Sequence, residues 1–281
     1  MGMISAFTFI RNALHGGYPL LEAIAAVHPY VDETVVLDMG SDDGTYEILH
    51  GIAECNPRIR VHQMEWDVSK GPAILGEAHA KHAELCQGDV IVHMEADEIY
   101  DRSLIESVVD FIKIGNEQQL VWRLQVEQNF SRCRWYPTPC HRVFRKGTVT
   151  KRGHSTVEHL TADLALAESF ILDPVPSGFL WDVTNCFRDQ WWGRLEQNAE
   201  LWNQGVQPRL VPLHAAERWD GLSEEQANEK LREPHWTFRK SPFDLPELLK
   251  FWVGQEHYFP RESLIDALAS GKLDKDATHQ N

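Results

Sequence analysis

Four short apolar runs, at residues 3–9, 33–37, 59–64 and 89–94, alternate with stretches of helical spacing at 18–27, 45–54, 74–86 and 104–114. No other feature of the chain constrains its fold as tightly. Strands that take turns with helices of roughly 10 to 15 residues build βαβ units and a parallel sheet. An α/β fold with a mostly parallel central sheet is therefore expected over residues 1–115. Beyond that point the pattern changes. LVWRLQVEQNF at 120–130 alternates like a half-exposed strand, and HRVFRKG at 141–147 with the Gly- and His-rich stretch to 160 reads as strands and loops. Residues 187–203 have the spacing of an amphipathic helix; the polar remainder carries short helical stretches at 223–232 and 245–252, and the last ten residues look frayed. The expected division is 1–115, 116–186 as the second half of the same domain, and 187–281 as a helical C-terminal extension.

A length of 281 residues suits one large α/β domain or two small ones. Lys and Arg number 27 against 42 Asp and Glu, so the net charge is 27 − 42 = −15. That balance excludes a basic nucleic-acid-binding face and disfavours tight docking to anionic membrane. An acidic chain that binds an anionic nucleotide needs a metal or a few placed cations. Five widely spaced cysteines, without a C-x-x-C pair, read as reduced and structural rather than as a zinc site or disulfide framework. No apolar run is long enough to span a membrane, and the N-terminal residues lack a signal-peptide pattern. The expectation is a cytoplasmic protein, at most peripheral to a membrane.

Ligands of open parallel sheets bind at the carboxyl ends of the strands. Two acidic features fall there. Asp38 closes the second apolar run, and Glu95-Ala96-Asp97-Glu98 closes the fourth. Strand alternation would put Glu95 and Asp97 on one side with Ala96 between them. Two converging carboxylates repel each other unless a cation separates them. Oxygen ligands of this kind suit Mg²⁺ or Mn²⁺, which commonly also hold a substrate's phosphates.

In combination these segments resemble the inverting family-two glycosyltransferases of the GT-A fold. ISAFTFIRN at 4–12, DMGSDDGT at 38–45 and GDVIVHMEADE at 88–98 carry the likeness, with E-A-D-E close to the D-A-D-E form of one branch. The resemblance implies a GT-A domain, a UDP-sugar donor and a divalent cation. It implies that Asp38 accepts a hydrogen bond from the nucleotide base, that Ala6, Phe7, Thr8 and Phe9 line the base pocket, and that Gly40 to Thr45 form the turn into the next helix, capped by Asp43 or Thr45. Asp97 would be the main metal ligand, with Glu95, one methylene longer than the family's usual Asp, beside the ribose or the metal, and Ala96 in the donor site. Glu98 would fix the loop or approach the sugar. Lys70, after the third strand, could reach a base or phosphate. HAKHAEL, with Lys81 and His82, departs from the family's A-R-N.

An inverting transferase also needs a carboxylate to deprotonate the acceptor hydroxyl. The related branch has R-L-F-R followed by G-x-x-H-E; this chain has HRVFRKG and then GHSTVEHL. Glu158 is the first candidate base and Asp182, in LWDVTN, its rival. His159 or His154 would be a third metal ligand, and Arg142, with Arg145 behind it, would face the diphosphate. Of ten tryptophans, Trp135, with Tyr136, sits in a loop-like stretch and could stack on an acceptor sugar, whereas Trp191 and Trp192 suit packing. The function expected is transfer of a sugar from a UDP-sugar to a hydroxyl of a saccharide or lipid-linked glycan. The alternatives are a sugar-1-phosphate nucleotidyltransferase, which would want a Gly-rich basic loop after the first strand, and a non-catalytic nucleotide- or glycan-binding module.

Overall fold

Each of the four apolar runs becomes a strand: β1 (Ile4–Ile10), β2 (Glu33–Asp38), β3 (Ile59–Gln63) and β4 (Val90–His93). The computed structural model describes residues 2–71, 73–117, 119–127, 132–134, 138–148, 171–172, 178–185, 187, 190, 197, 200–201, 238–240, 245–255 and 257–273. The four strands run parallel in the order β3-β2-β1-β4, with Ile10 level with Asp38 and Asp38 level with Gln63. Both faces of this part of the sheet are covered, which is why its sequences are almost uninterruptedly apolar. Ile4, Ala6 and Ile10 of β1 and Val36 of β2 face helices α1 (Leu20–Val27), α2 (Thr45–Cys55) and α5 (Arg102–Lys113). Phe7, Val35 and Leu37 face the other way, onto α3 (Ala73–Ala80).

One helix expected at 74–86 is two. After α3 comes a separate short α4 (His82–Leu85). The imidazole of His82 explains the break: its Nδ1–H donates to the His79 carbonyl at 2.6 Å, taking an acceptor that a continuous helix would use for its own backbone.

Past β4 the sheet turns antiparallel. β8 (Thr138–Arg145) pairs with β4, β6 (Gln119–Glu127) with β8, then β7 (Arg132–Arg134) and β11 (Phe238–Lys240) follow. Five strands went unread in the sequence: β7, β11 and three more. β5 (Glu98–Tyr100) and β10 (Leu180–Asn185) pair antiparallel, and β10 also pairs parallel with β6; β9 (Ile171–Leu172) joins β6 as well.

The C-terminal segment seats on the first face of the sheet through α6 (Glu247–Lys250) and α7 (Glu262–Ala269). Its anchor is Glu22 of α1, wholly buried. The Glu22 carboxylate accepts from Trp252 Nε1 (3.0 Å), Tyr258 Oη (3.2 Å) and Arg261 Nε (3.0 Å). Asn56 Nδ2 adds a bond to the Leu268 carbonyl at 2.7 Å. Among the described residues no helix is long and apolar enough to cross a membrane. Cys86 and Cys140 are buried thiols, and burial pushes Cys86 up to about 12, so it packs as an apolar side chain rather than reacting as a thiolate.

Candidate active site

The connections from β1 to β2 and on to β3 run one way across the sheet, while β4 lies on the other side of β1. That reversal opens a crevice at the carboxyl ends of β1 and β4, the usual seat of a ligand in an open α/β sheet. Asp38 stands at the end of β2, fully buried. Its Oδ2 accepts from the backbone N–H groups of Gly40 and Ser41, each at 3.1 Å. Its Oδ1 is buried without a hydrogen-bond partner. A buried carboxylate oxygen without a donor is costly, so it marks a place where a donor from a ligand would fit. Thr8, on the same face of the neighbouring strand, also leaves its Oγ1 buried and unpartnered.

The turn after Asp38 is held from β1. Gly40 (φ +72°) and Gly44 (φ +96°) take backbone conformations that favour glycine. Asn12, itself at φ +51°, donates from Nδ2 to Asp42 Oδ1 and accepts from the Asp42 N–H, both at 2.8 Å, while its own N–H meets Ser41 Oγ at 2.8 Å. The N-cap of α2 is Gly44, not Asp43 or Thr45, and it makes no side-chain cap bond; Asp43, one residue earlier, accepts from the Thr45 N–H at 3.0 Å and so holds the turn. The loop is thus preformed.

Glu95 to Glu98 do not continue β4, which ends at His93. They form a turn in which the Glu98 N–H donates to the Glu95 carbonyl at 3.1 Å. Strand alternation therefore does not relate Glu95 to Asp97. The turn nevertheless leaves both half-buried, whereas Ala96 and Glu98 are buried. Glu95 Oε1 lies 3.2 Å from His93 Nε2. Glu98 pairs with Arg142 through two bonds of 2.7 Å. Asp182, 8 % exposed, lies on β10 opposite Glu98, and the next residue, Val183, donates its N–H to the Asp97 carbonyl at 2.9 Å. The structure thus brings Glu95, Asp97, Glu98 and Asp182 together around one turn. Among the described residues no group of three or more His, Cys, Asp or Glu is already assembled as a metal cage.

Other residues singled out in the sequence fall elsewhere. Ala6 and Phe7 fill the two core faces without exposed surface, and Phe9 alone of that quartet is partly open. Arg142, expected on the diphosphate, is wholly buried because β8 lies inside the sheet against β4, and its guanidinium is taken up by Glu98. Arg145 is exposed and pairs with Glu117. Lys70, on a 3-10 turn (Val68–Lys70) capped by Asp67, gives its ammonium to Glu77 at 2.6 Å. His82 is a packing residue whose Nε2 accepts from the Gly147 N–H; burial pulls its pKa down, and Lys146 adds to that. Glu158, His159, His154, Trp135, Tyr136, Trp191 and Trp192 lie outside the described residues.

Two residues of the crevice rim were missed. Arg11 follows β1 and Trp66 follows β3; the guanidinium lies 4.8 Å from the indole centroid, and both donate to Glu200 Oε2 at 3.1 Å. Trp66 also packs on the Gly40 turn, its backbone N 3.7 Å from where a Gly40 Cβ would sit. The strand-end rule, applied to every strand instead of to the acidic residues alone, would have found both.

The parallel sheet thus carries an aspartate with one unpartnered oxygen on one side of β1 and an acid turn on the other, both at the strand ends where an α/β fold seats a ligand. The model of Glycosyl transferase family 2 matches residues 12–170, more than half of the chain, and the protein belongs to that family. The fold that carries the match is α/β, with a parallel sheet core flanked by helices. Among solved structures, S. aureus TarS is similar at 13% identity over 73% of this chain and 40% of its own, with a TM-score of 0.42. Its 1–349 segment is covered to 89%, against 99% of this chain, with the same identity and score. Glucosyl-3-phosphoglycerate synthase from Mycobacterium tuberculosis, in a complex with Mn²⁺, UDP-glucose and phosphoglyceric acid, is 23% identical over 44% of each chain, with a TM-score of 0.31. The chain thus spans less than half the length of full TarS. No curated protein matches the chain.

Proposed function

We propose that the protein is a metal-dependent inverting glycosyltransferase that moves a sugar from a UDP-sugar to a hydroxyl of a saccharide or lipid-linked glycan. The observation that carries this reading is the unpartnered, buried Oδ1 of Asp38, with β1 alone between its strand and the strand that ends in the acid turn. The ring N–H of uracil is the kind of donor that this atom lacks. Glu95 and Asp97 would hold the cation. Two half-buried carboxylates are hard oxygen donors that suit Mg²⁺ or Mn²⁺, ions that fill their remaining positions with water and phosphate oxygens. His159 remains the proposed third ligand. Bound there, the cation would neutralise charge on the departing diphosphate. Of the two base candidates, Asp182 is the one supported by position, across from Glu98 and next to the residue bonded to Asp97. It would take the acceptor hydroxyl's proton as the oxygen attacks the anomeric carbon. Phe9 would close the base side.

A thermal-shift panel of nucleoside diphosphates with Mn²⁺ or EDTA tests the donor half. UDP with Mn²⁺ should stabilise most, and Asp97→Asn should remove the metal-dependent part. Equal stabilisation in EDTA would sink the metal role, and no response to UDP the donor reading. Asp182→Asn should keep UDP binding and lose transfer. Full turnover in that variant would move the base to Glu158, tested as Glu158→Gln in the same assay.

A further inference from the structure

Beneath the acid turn lies a polar group of side chains whose burial calls for a reason. Arg142 and His93 are both 0% exposed and Glu98 is 2% exposed. The pairing of β4 with β8 sets Val92 against Val143, and continuing that register brings His93 level with Arg142. From there the two side chains reach one oxygen. Glu95 Oε1 stands 3.2 Å from His93 Nε2 and 4.0 Å from Arg142 Nη2. Arg142 also grips both oxygens of Glu98 at 2.7 Å and donates from Nη1 to the His141 carbonyl at 2.9 Å.

Stability does not explain such an arrangement. A buried ion pair replaced by apolar residues of similar volume is often neutral or more stable. What the arrangement does achieve is placement. The carboxylate of a glutamate is one rotatable bond further from the backbone than that of an aspartate, and has more freedom to lose before it can serve a ligand. His93 Nε2–H, donating to a carboxylate that can only accept, fixes that arm by one oxygen. Arg142, forked onto Glu98, fixes the far end of the same turn. Asp97 lies between the two fixed ends.

We infer that His93 and Arg142 are positioning residues that hold Glu95 and the Glu95–Glu98 turn in the geometry needed to take a divalent cation with the donor diphosphate. Neither touches the donor; both act through the carboxylates. This rests on the reading of Glu95 and Asp97 as cation ligands. The group also ties β8, which carries Arg142, to the connection between β4, which carries His93, and β5, which opens with Glu98.

The test uses the full chain and two sets of variants. The first is the double variant Arg142→Met, Glu98→Met, which removes both buried charges together. The second compares His93→Ala with His93→Gln, whose amide keeps a donor toward Glu95. Melting temperature, UDP affinity in EDTA, and the Mn²⁺ concentration giving half-maximal UDP binding are measured for each. The double variant should melt near the wild-type temperature and bind UDP in EDTA as the wild type does, with its Mn²⁺ midpoint raised at least tenfold. His93→Ala should raise that midpoint at least tenfold, and His93→Gln should stay within threefold. Wild-type Mn²⁺ midpoints in the folded double variant, or equal midpoints for His93→Ala and His93→Gln, would overturn the inference. If the double variant does not fold, the His93 pair decides alone. Failure of the wild type to show any Mn²⁺-dependent UDP binding would instead overturn the underlying functional reading.

Discussion

The Gly-Asp pair that precedes β4 yields a prediction independent of catalysis. A Cβ built on Gly88 would lie 2.5 Å from the Met3 carbonyl oxygen, 2.6 Å from Ser5 Oγ and 2.8 Å from the Ser5 nitrogen. Two of these atoms are backbone of β1 and its lead-in, so no side chain can swing aside to relieve the contact. β1 and β4 would have to separate by close to an ångström at this end. Two hydrogen bonds span the same gap: Gly88 N–H to Ser5 Oγ (2.8 Å) and Asp89 N–H to the Met3 carbonyl (2.9 Å). Overpacking of this kind costs about 1–3 kcal/mol, and each lost bond about 1 kcal/mol, so Gly88→Ala should destabilise by roughly 3–5 kcal/mol. Gly51 is the control. It lies exposed inside α2 with nothing within 4 Å of an added Cβ, so Gly51→Ala should stabilise by about 0.5–1 kcal/mol. At about 2–4 °C per kcal/mol, the two variants should differ in melting temperature by roughly 7 °C or more, in opposite directions from wild type. Urea denaturation of both measures the free energies directly. A Gly88→Ala protein within 0.5 kcal/mol of wild type would refute the close-approach reasoning.

Three further outcomes follow from particular contacts. His28 is buried, takes a bond from Asn56 Nδ2 at Nε2, and is pulled by burial and then by Arg58 from 6.5 to about 4. The unfolded chain therefore binds its proton first. The stability this histidine contributes is complete above pH 6.5 and should be lost as pH falls toward 4, by about 3 kcal/mol; urea unfolding at pH 7 and 4.5 should show a slope that His28→Gln flattens. Burial raises the pKa of Glu22, with Arg261 opposing, so its contribution is greatest at low pH and falls as pH rises through the raised folded value. Glu22→Ala should cost about 3 kcal/mol or more by leaving Trp252, Tyr258 and Arg261 without their acceptor, whereas Glu22→Gln should lose less and remove that pH slope. Asp38→Asn keeps an oxygen for Gly40 and Ser41 but can turn an amide donor toward the ligand. UDP affinity by calorimetry should fall about tenfold, with stability changed by less than about 1 kcal/mol.

Much of the parallel half of the fold was legible because its code is local. The runs at 33–37 and 59–64 are strands within a residue of either end, and their polar tips are where a strand-end rule puts a site. The rest depended on partners far along the chain. LWDVTN stands outside the strand–helix alternation that marks β1 to β4, and its partners, β5 and β6, lie tens of residues upstream. Glu22 interrupts an apolar helix and would pass for a solvent-facing residue, since its partners come from residues 252–261. Arg142 reads as a phosphate ligand until the carboxylate that neutralises it is seen. In each case the missing information was the identity of a distant neighbour, which neither periodicity nor composition records.

The Glu22 anchor also bears on how the chain is made. A separation of 230 residues lies between that carboxylate and the indole of Trp252. At synthesis rates of about 5–20 residues per second, α1 waits roughly 10–50 seconds on the ribosome before its partner exists. During that interval a wholly apolar helix face would be a sticky surface on a nascent chain. An ionised, hydrated carboxylate in its middle keeps the unfinished face wet, and is dried only when residues 252–261 arrive with the donors to satisfy it.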